Sequence, residues 1–210
     1  MMRLLVIGAT GLVGRHVIEK ALADTRIGSI IAPGRRSCAI HPKLLSPIVD
    51  FDSLPESAPW WQADAIICTL GTTIKVAKTR EAFRHVDYDY PLAAARLAKE
   101  HGTPAFVLTS AIGADTGSRF FYNRVKGEVE RDLAGIGFAS LTFVRPGLIG
   151  GKRDKSRPME TVLGVFKAVL DPVLPRRYRT NPAGRIADKL LEAAITRKPG
   201  MHIVTSEEMA

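Results

Sequence analysis

Short, unbroken apolar runs recur along this chain, and between them apolar residues return at intervals of three and four. Unbroken apolar runs suit strands covered on both faces, and the periodic stretches suit the helices that cover them. Strands are predicted at Leu4–Ile7, Ser29–Ala32, Ser46–Val49, Asp64–Leu70, Pro104–Ser110, Ala139–Val144 and Met201–Thr205. Helices are predicted at Val13–Leu22, Val86–His101, Ser118–Leu133 and Ala183–Thr196, with a helical piece near Thr161–Leu170. Gly102 stands just past a predicted helix end, where glycine is favoured. This alternation predicts an α/β fold on a parallel sheet. The rhythm breaks from Gly147 to about Asn181, a stretch rich in Pro, Gly and Arg. No linker divides the chain, so residues 1–210 are expected to form one domain.

Composition narrows the class. The chain has 210 residues, with 46% hydrophobic and 24% charged, enough for a core that needs no disulfide or metal staple. Its two cysteines, Cys38 and Cys68, have no histidine partner at zinc spacing. The expectation is therefore no metal, and a reduced, cytoplasmic setting. The uncharged run Leu4–Gly14 contains three glycines and no cleavage-like site follows it. It is also shorter than the ~20 residues of a membrane span, so a soluble protein without a membrane partner is expected.

The opening glycines carry the first chemistry. Gly8-Ala9-Thr10-Gly11-Leu12-Val13-Gly14 follows a predicted buried strand and opens a predicted helix. Glycine permits a tight turn and lets backbone N–H groups approach a pyrophosphate, and the helix N-terminus adds partial positive charge. This context is that of a Rossmann dinucleotide site. NAD-binding units usually carry an acidic residue ~20 positions on. Here no carboxylate occurs between Asp24 and Asp50, and Arg35 and Arg36 follow the second strand instead. Guanidinium forks suit a 2′-phosphate, so NADP(H) is the expected cofactor.

Tyr122 and Lys126 share one face of a predicted helix at i,i+4 spacing. Beside them runs an apolar stripe of Phe121, Val125, Val129 and Leu133 that can pack on the sheet. An ammonium near a phenol lowers its pKa from about 10 and fits it for proton exchange. Ser110 ends the fifth strand, at the sheet edge where open α/β folds bind ligands. There it could orient a substrate oxygen beside Tyr122.

These segments, together with Cys68-Thr69-Leu70-Gly71-Thr72-Thr73, Ser110-Ala111-Ile112-Gly113-Ala114, Tyr122–Glu128 and Arg145-Pro146-Gly147, resemble the short-chain dehydrogenase/reductase superfamily. The likeness is to its atypical branch of Tat-interacting-protein-like NADPH-binding proteins. It is specific from residue 1 to about 150 and looser beyond. The resemblance implies a Rossmann-type, doubly wound sheet in the order 3-2-1-4-5-6-7 within three α/β/α layers. It implies that Leu70-Gly71-Thr72 passes over the cofactor's ribose and that Asp50 or Phe51 contacts adenine. It places Pro146-Gly147-Leu148 at the nicotinamide, and Tyr122 and Lys126 against the cofactor as well as the substrate. It makes 147–182 a small C-terminal lid. Two features depart from the best-studied reductases. Thr69-Leu70-Gly71-Thr72 replaces their Asn-Asn-Ala-Gly, and the asparagine of the following helix is Asp87 or absent.

Thirty Lys and Arg against 21 Asp and Glu give a net charge of +9. Eight basic and three acidic residues fall between Gly147 and Thr180. Lys75, Lys78 and Arg80 are expected near the same edge. An anionic small-molecule substrate and a solvated basic lid both account for this charge. No helix-turn-helix, zinc finger or aromatic-interleaved basic strand points to nucleic acid, and Trp60-Trp61 is expected to pack between the third and fourth strands. The reading is an NADP(H)-dependent oxidoreductase acting on a small carbonyl or alcohol, with Ser110, Tyr122 and Lys126 as its catalytic group. The alternative is a non-catalytic NADP(H) sensor. A sugar-nucleotide epimerase or dehydratase fits less well, with only about 60 residues after the sixth strand. Monomer and homodimer both remain open.

Overall fold

A computed structural model of the chain describes residues 1–38, 40–151 and 175–210. Seven parallel strands form the main sheet: β1 (Met2–Ile7), β2 (Ile27–Ile31), β3 (Leu44–Leu45), β4 (Ala65–Cys68), β5 (Ala105–Thr109), β6 (Ser140–Val144) and β9 (Gly200–Val204). Their order across the sheet is β3-β2-β1-β4-β5-β6-β9, the expected Rossmann arrangement with β9 as seventh strand. Helices α1 (Leu12–Ala23), α4 (Tyr90–Glu100), α5 (Phe121–Ala134) and α6 (Ala183–Thr196) cover it, and the short α2 (Ile74–Ala77) and α3 (Arg80–Arg84) lie between β4 and α4 in the chain. β7 (Ile149–Gly150) and β8 (Asn181–Pro182) form a separate two-stranded sheet.

The strands alternate between two cores, as a period of two requires. Leu4 and Val6 of β1, Ala65 and Ile67 of β4, and Ala105 and Val107 of β5 face one core with α1 and α6. Leu5, Ile7, Ile66, Cys68, Phe106 and Leu108 face the other with α4 and α5. Each fully buried Leu or Ile contributes roughly 1.5–3 kcal/mol. Val125, Val129 and Leu133 of the α5 stripe are buried, whereas Phe121 lies at its edge against Phe83. Trp61 is fully buried and its indole N–H donates to the Pro55 carbonyl at 2.8 Å, consistent with a packing role.

Two predicted elements differ. The third strand is Leu44–Leu45, not Ser46–Val49. Its pairing with the β2 side goes on past Leu45, with the Gly34 N–H bonded to Pro47 O and the Val49 N–H to Gly34 O. Pro47 lacks an N–H, so the ladder there is reduced to a bridge between Gly34 and Ile48. The helix expected at Val86–His101 begins earlier, because the Thr79 hydroxyl accepts the Ala82 N–H and caps α3. It is then interrupted by a π-helical turn, His85–Asp89. Pro91 has no N–H to give to Asp87, and the Tyr90 N–H bonds back five residues to His85 O. The helical piece expected near Thr161–Leu170 and most of the lid lie outside the described residues. Among the described residues no helix is long and apolar enough to cross a membrane, and no group of three His, Cys, Asp or Glu could hold a metal.

Candidate functional site

The glycine turn lies at the carboxyl end of β1. Gly8 has φ +85°, and a Cβ there would meet Thr69 Oγ1 and Leu70 N at 2.7 and 2.8 Å. A Cβ on Gly14 would collide with the Gly8 carbonyl oxygen. The two glycines therefore bring α1, the first turn and the loop after β4 into backbone contact. The N-cap of α1 is Gly11, with no side-chain cap, so backbone groups alone mark the start of this helix.

Beside the turn is a cavity of about 360 Å³ lined by Gly8, Ala9, Thr10, Ala32–Arg36, Cys38, Phe51 and Leu70. Its size falls in the range of small-ligand sites. Six residues expected at the cofactor line it: Gly8, Thr10, Arg35, Arg36, Phe51 and Leu70. Both arginines are exposed. Asp50 is exposed and outside the lining; its carboxylate accepts the Asp52 N–H at 3.0 Å. Phe51, by contrast, is buried and stacks at 5.3 Å on Tyr90. Val13 and Gly14 are buried in the helix–strand packing rather than in this wall.

Ser110, Tyr122 and Lys126 lie away from that cavity. Ser110 continues β5, its N–H donating to Val144 O at 2.7 Å. Its hydroxyl is buried, with the residue 4% exposed, and makes no hydrogen bond; the neighbouring Thr109 hydroxyl is in the same condition. An unsatisfied buried hydroxyl costs about 1–3 kcal/mol unless a ligand or water meets it. The loop after Ser110 is pressed onto α5. The Asp115 N–H donates to Asn123 O at 3.1 Å, and a Cβ on Gly127 would strike the Asp115 backbone.

Lys126 is 3% exposed, and its ammonium lies 2.7 Å from Asp87 Oδ1. The other oxygen, Oδ2, accepts the Thr72 N–H at 2.8 Å. Gly71 lies over the pair, where a Cβ would be 3.4 Å from Oδ1 and 3.9 Å from Nζ. The loop after β4, the π-helical turn and α5 thus meet on one buried ion pair. Burial works against the Lys126 ammonium, but the charge of Asp87, followed by Tyr122, raises its pKa overall. Tyr122 is 38% exposed and packs on Phe83 at 5.6 Å. Burial of its hydroxyl end raises its pKa; Lys126 lowers it, and Asp87 raises it again. Cys68, below the pair, is pushed up to about 12 by burial.

The third expected segment is held by residues that sequence reasoning missed. Pro146 O accepts the Ile112 N–H at 2.8 Å, and the Gly147 N–H donates to Asn181 Oδ1 at 2.7 Å. Asn181 is fully buried, bonded also to Ser206, and its N–H reaches Leu148 O at 2.8 Å. No motif marked Asn181; it precedes Pro182 and reads locally as a loop residue. Leu148 is exposed, and Leu12 approaches Gly151. Of the expected basic edge, Lys75 and Lys78 are exposed, and Arg80 stacks at 5.2 Å over Phe121, beside Tyr122 in the chain. Lys152, Arg153, Lys155, Arg157 and Lys167 lie outside the described residues.

No family model matches the chain. Among known proteins it is 35% identical to the mitochondrial protein fmp52 of Emericella nidulans, over 82% of this chain and 78% of that one. It is 36% identical to HTATIP2 of Rattus norvegicus, over 77% and 68%. Solved structures of the same fold include MoeE5 with UDP-glucose and NAD (TM-score 0.71, 16% identity, 96% of this chain and 74% of that one). Another is the oxidoreductase ylbE of Lactococcus lactis (TM-score 0.70, 19% identity, 99% and 94%). The expectation of a cytoplasmic setting is corrected by these relatives, since several of them are named as mitochondrial proteins. Cysteine usage reports a reducing setting, which is not specific to one compartment. By sequence and fold together, the chain belongs to the atypical short-chain dehydrogenase/reductases, the family of HTATIP2 and Fmp52.

Proposed function

We propose that the chain is an NADP(H)-dependent oxidoreductase acting on a small carbonyl or alcohol substrate, with an anionic group on that substrate. The observation that carries this reading is the buried, unpartnered Ser110 hydroxyl at the carboxyl end of β5, on the loop that packs the helix of Tyr122 and Lys126. Such a hydroxyl is satisfied by a substrate oxygen. NADPH, when bound, supplies the hydride.

The chain's own groups then divide the remaining work. Gly8, Thr10, Gly11, Leu12, Val13 and Gly14 form the turn and helix start that receive the pyrophosphate. Arg35 and Arg36 grip the 2′-phosphate, and Phe51 packs on adenine in preference to Asp50, whose carboxylate is turned to its own loop. Leu70, Gly71 and Thr72 cover the ribose, which Lys126 holds. Pro146, Gly147 and Leu148 border the nicotinamide, fixed by Asn181. Ser110 orients the substrate oxygen, and Tyr122 gives it a proton during reduction or takes one during oxidation. Exposed Lys75 and Lys78 suit an anionic substituent.

The test is an NADPH-oxidation screen over carbonyl compounds with and without a carboxylate or phosphate, run beside Tyr122→Phe. Loss of about 10²-fold or more in kcat in the variant is expected. Equal turnover in both proteins would remove Tyr122 as proton donor. The second reading, a non-turning-over NADP(H) sensor, is favoured by one observation: an aspartate, Asp87, stands against Lys126 from the helix in which the best-studied reductases carry an asparagine. It predicts tight NADPH binding and no oxidation of it by any carbonyl.

A further inference from the structure

The Asp87–Lys126 pair has a consequence for the direction of proton flow that neither motif reveals alone. Asp87 is 1% exposed and Lys126 3% exposed, so both charges are out of water. An ammonium buried without a counter-ion tends to lose its proton. Asp87 prevents that here at 2.7 Å, while Thr72 N–H fixes its second oxygen at 2.8 Å. The pair is therefore held from two sides and is electrically neutral as a unit.

Neutrality decides what Tyr122 experiences. Beside a lone ammonium, ionising a phenol converts a net positive site into a neutral one, which favours phenolate. Beside a balanced pair, ionising it leaves a net negative charge on a hydroxyl that is partly desolvated, although the residue as a whole is 38% exposed. The charges that act on Tyr122 are those of Lys126 and Asp87, while Arg80 lies over the neighbouring Phe121 ring, 5.2 Å from its centroid. Cys68, from β4, is a neutral thiol. Phe83, from α3, is apolar. Arg84 is occupied by Glu128. Thr109 and Ser110, from the end of β5, do not titrate at accessible pH.

We infer that Asp87 is a positioning residue that keeps Lys126 charged and in place while cancelling its field, so that Tyr122 rests as a neutral phenol poised to give a proton. The site then holds the form that protonates a carbonyl oxygen during reduction, and the form that accepts an alcohol proton is populated only at alkaline pH. This rests on the oxidoreductase reading for its use, but not for its measurement.

Tyrosine ionisation is followed by near-ultraviolet phenolate absorbance in the parent, Tyr122→Phe, Asp87→Asn and the double variant. Four tyrosines are present, so the difference between each protein and its Tyr122→Phe counterpart isolates one group. In the parent that group is expected to ionise above pH ~10, the ordinary value of a free phenol. In Asp87→Asn, whose amide oxygen still accepts the Thr72 N–H, the Tyr122 phenolate becomes the counter-ion that keeps Lys126 charged, and its ionisation is expected at least about one pH unit lower. Ionisation at the same pH with and without Asp87 overturns the inference. So does ionisation of Tyr122 below pH ~9 in the parent, a result that needs no substitution at the buried position. Because no substrate is involved, a failed carbonyl screen with this titration pattern removes only the oxidoreductase reading. Turnover lost in Tyr122→Phe, with a phenol unmoved in Asp87→Asn, removes only the role of Asp87.

Discussion

The two ends of the site handle charge in opposite ways. Around the 360 Å³ cavity the cations are Arg35 and Arg36, exposed on a turn. Around Tyr122 the cation is Lys126, buried and matched to Asp87. A solvated guanidinium can wait for an anionic ligand at little energetic cost. A buried ammonium cannot, and the fold must provide its counter-ion before any ligand arrives. The first arrangement suits selection among cofactors. The second suits control of a proton, because a low-dielectric setting makes each neighbouring charge count.

The contrast can be broken most forcefully at Lys126. Lys126→Met leaves the Asp87 carboxylate buried without a cation and is expected to lower stability by about 3–5 kcal/mol in denaturant unfolding. Lys126→Met with Asp87→Leu removes both charges and should recover most of that loss. A double variant no more stable than the single one would mean that the two residues do not act as a pair. Gly14→Val drives a side chain into the Gly8 carbonyl. It is expected to destabilise by roughly 1–3 kcal/mol and to weaken NADPH binding at least about tenfold, through displacement of the α1 N-terminus proposed to receive the pyrophosphate.

At the exposed end the effects should be selective. Replacing Arg35 and Arg36 together by alanine is expected to reduce NADPH affinity about tenfold or more, with NADH affinity and melting temperature unchanged. Equal loss for both cofactors would show that the arginines do not read the 2′-phosphate. The smallest effect lies at the exposed cluster beside Phe51. His85 bonds Asp89 at 2.9 Å and Asp52 at 2.6 Å. Asp89 and then Asp52 raise its pKa, and His85 and then Tyr90 lower that of Asp52. The histidine therefore stabilises the fold fully below its unfolded value of about 6.5 and loses that contribution as pH rises through the raised folded value. Asp52 contributes above about 3.9 and loses its share as pH falls through its lowered value. A small melting-temperature maximum between these limits is expected, flattened in His85→Gln.

Most of the sheet was legible because strand burial and the chain's apolar runs coincide. Leu4–Ile7 and Ala105–Leu108 alternate between two cores and so are apolar at every position. The third strand was misread because Pro47 breaks the ladder inside an apolar run. The helix before α4 was read as continuous because periodicity does not register a missing N–H at Pro91. Ser110, Tyr122 and Lys126 were visible through spacing and place in the strand–helix rhythm. Asn181 and Ser206 were not, since their bonds to the Pro146–Leu148 segment join distant parts of the chain.

The sequence by itself determined the parallel α/β class, the glycine turn at Gly8–Gly14, the paired arginines and the Tyr122–Lys126 spacing. Each depends on residues near one another in the chain, where steric preference and periodicity act. Only the tertiary structure decided that Asp87 would stand against Lys126 and under Thr72, and that Asp50 would turn away while Phe51 entered the cavity wall. The state of a buried charge depends on what packs beside it, and that is settled when remote elements close over the same volume.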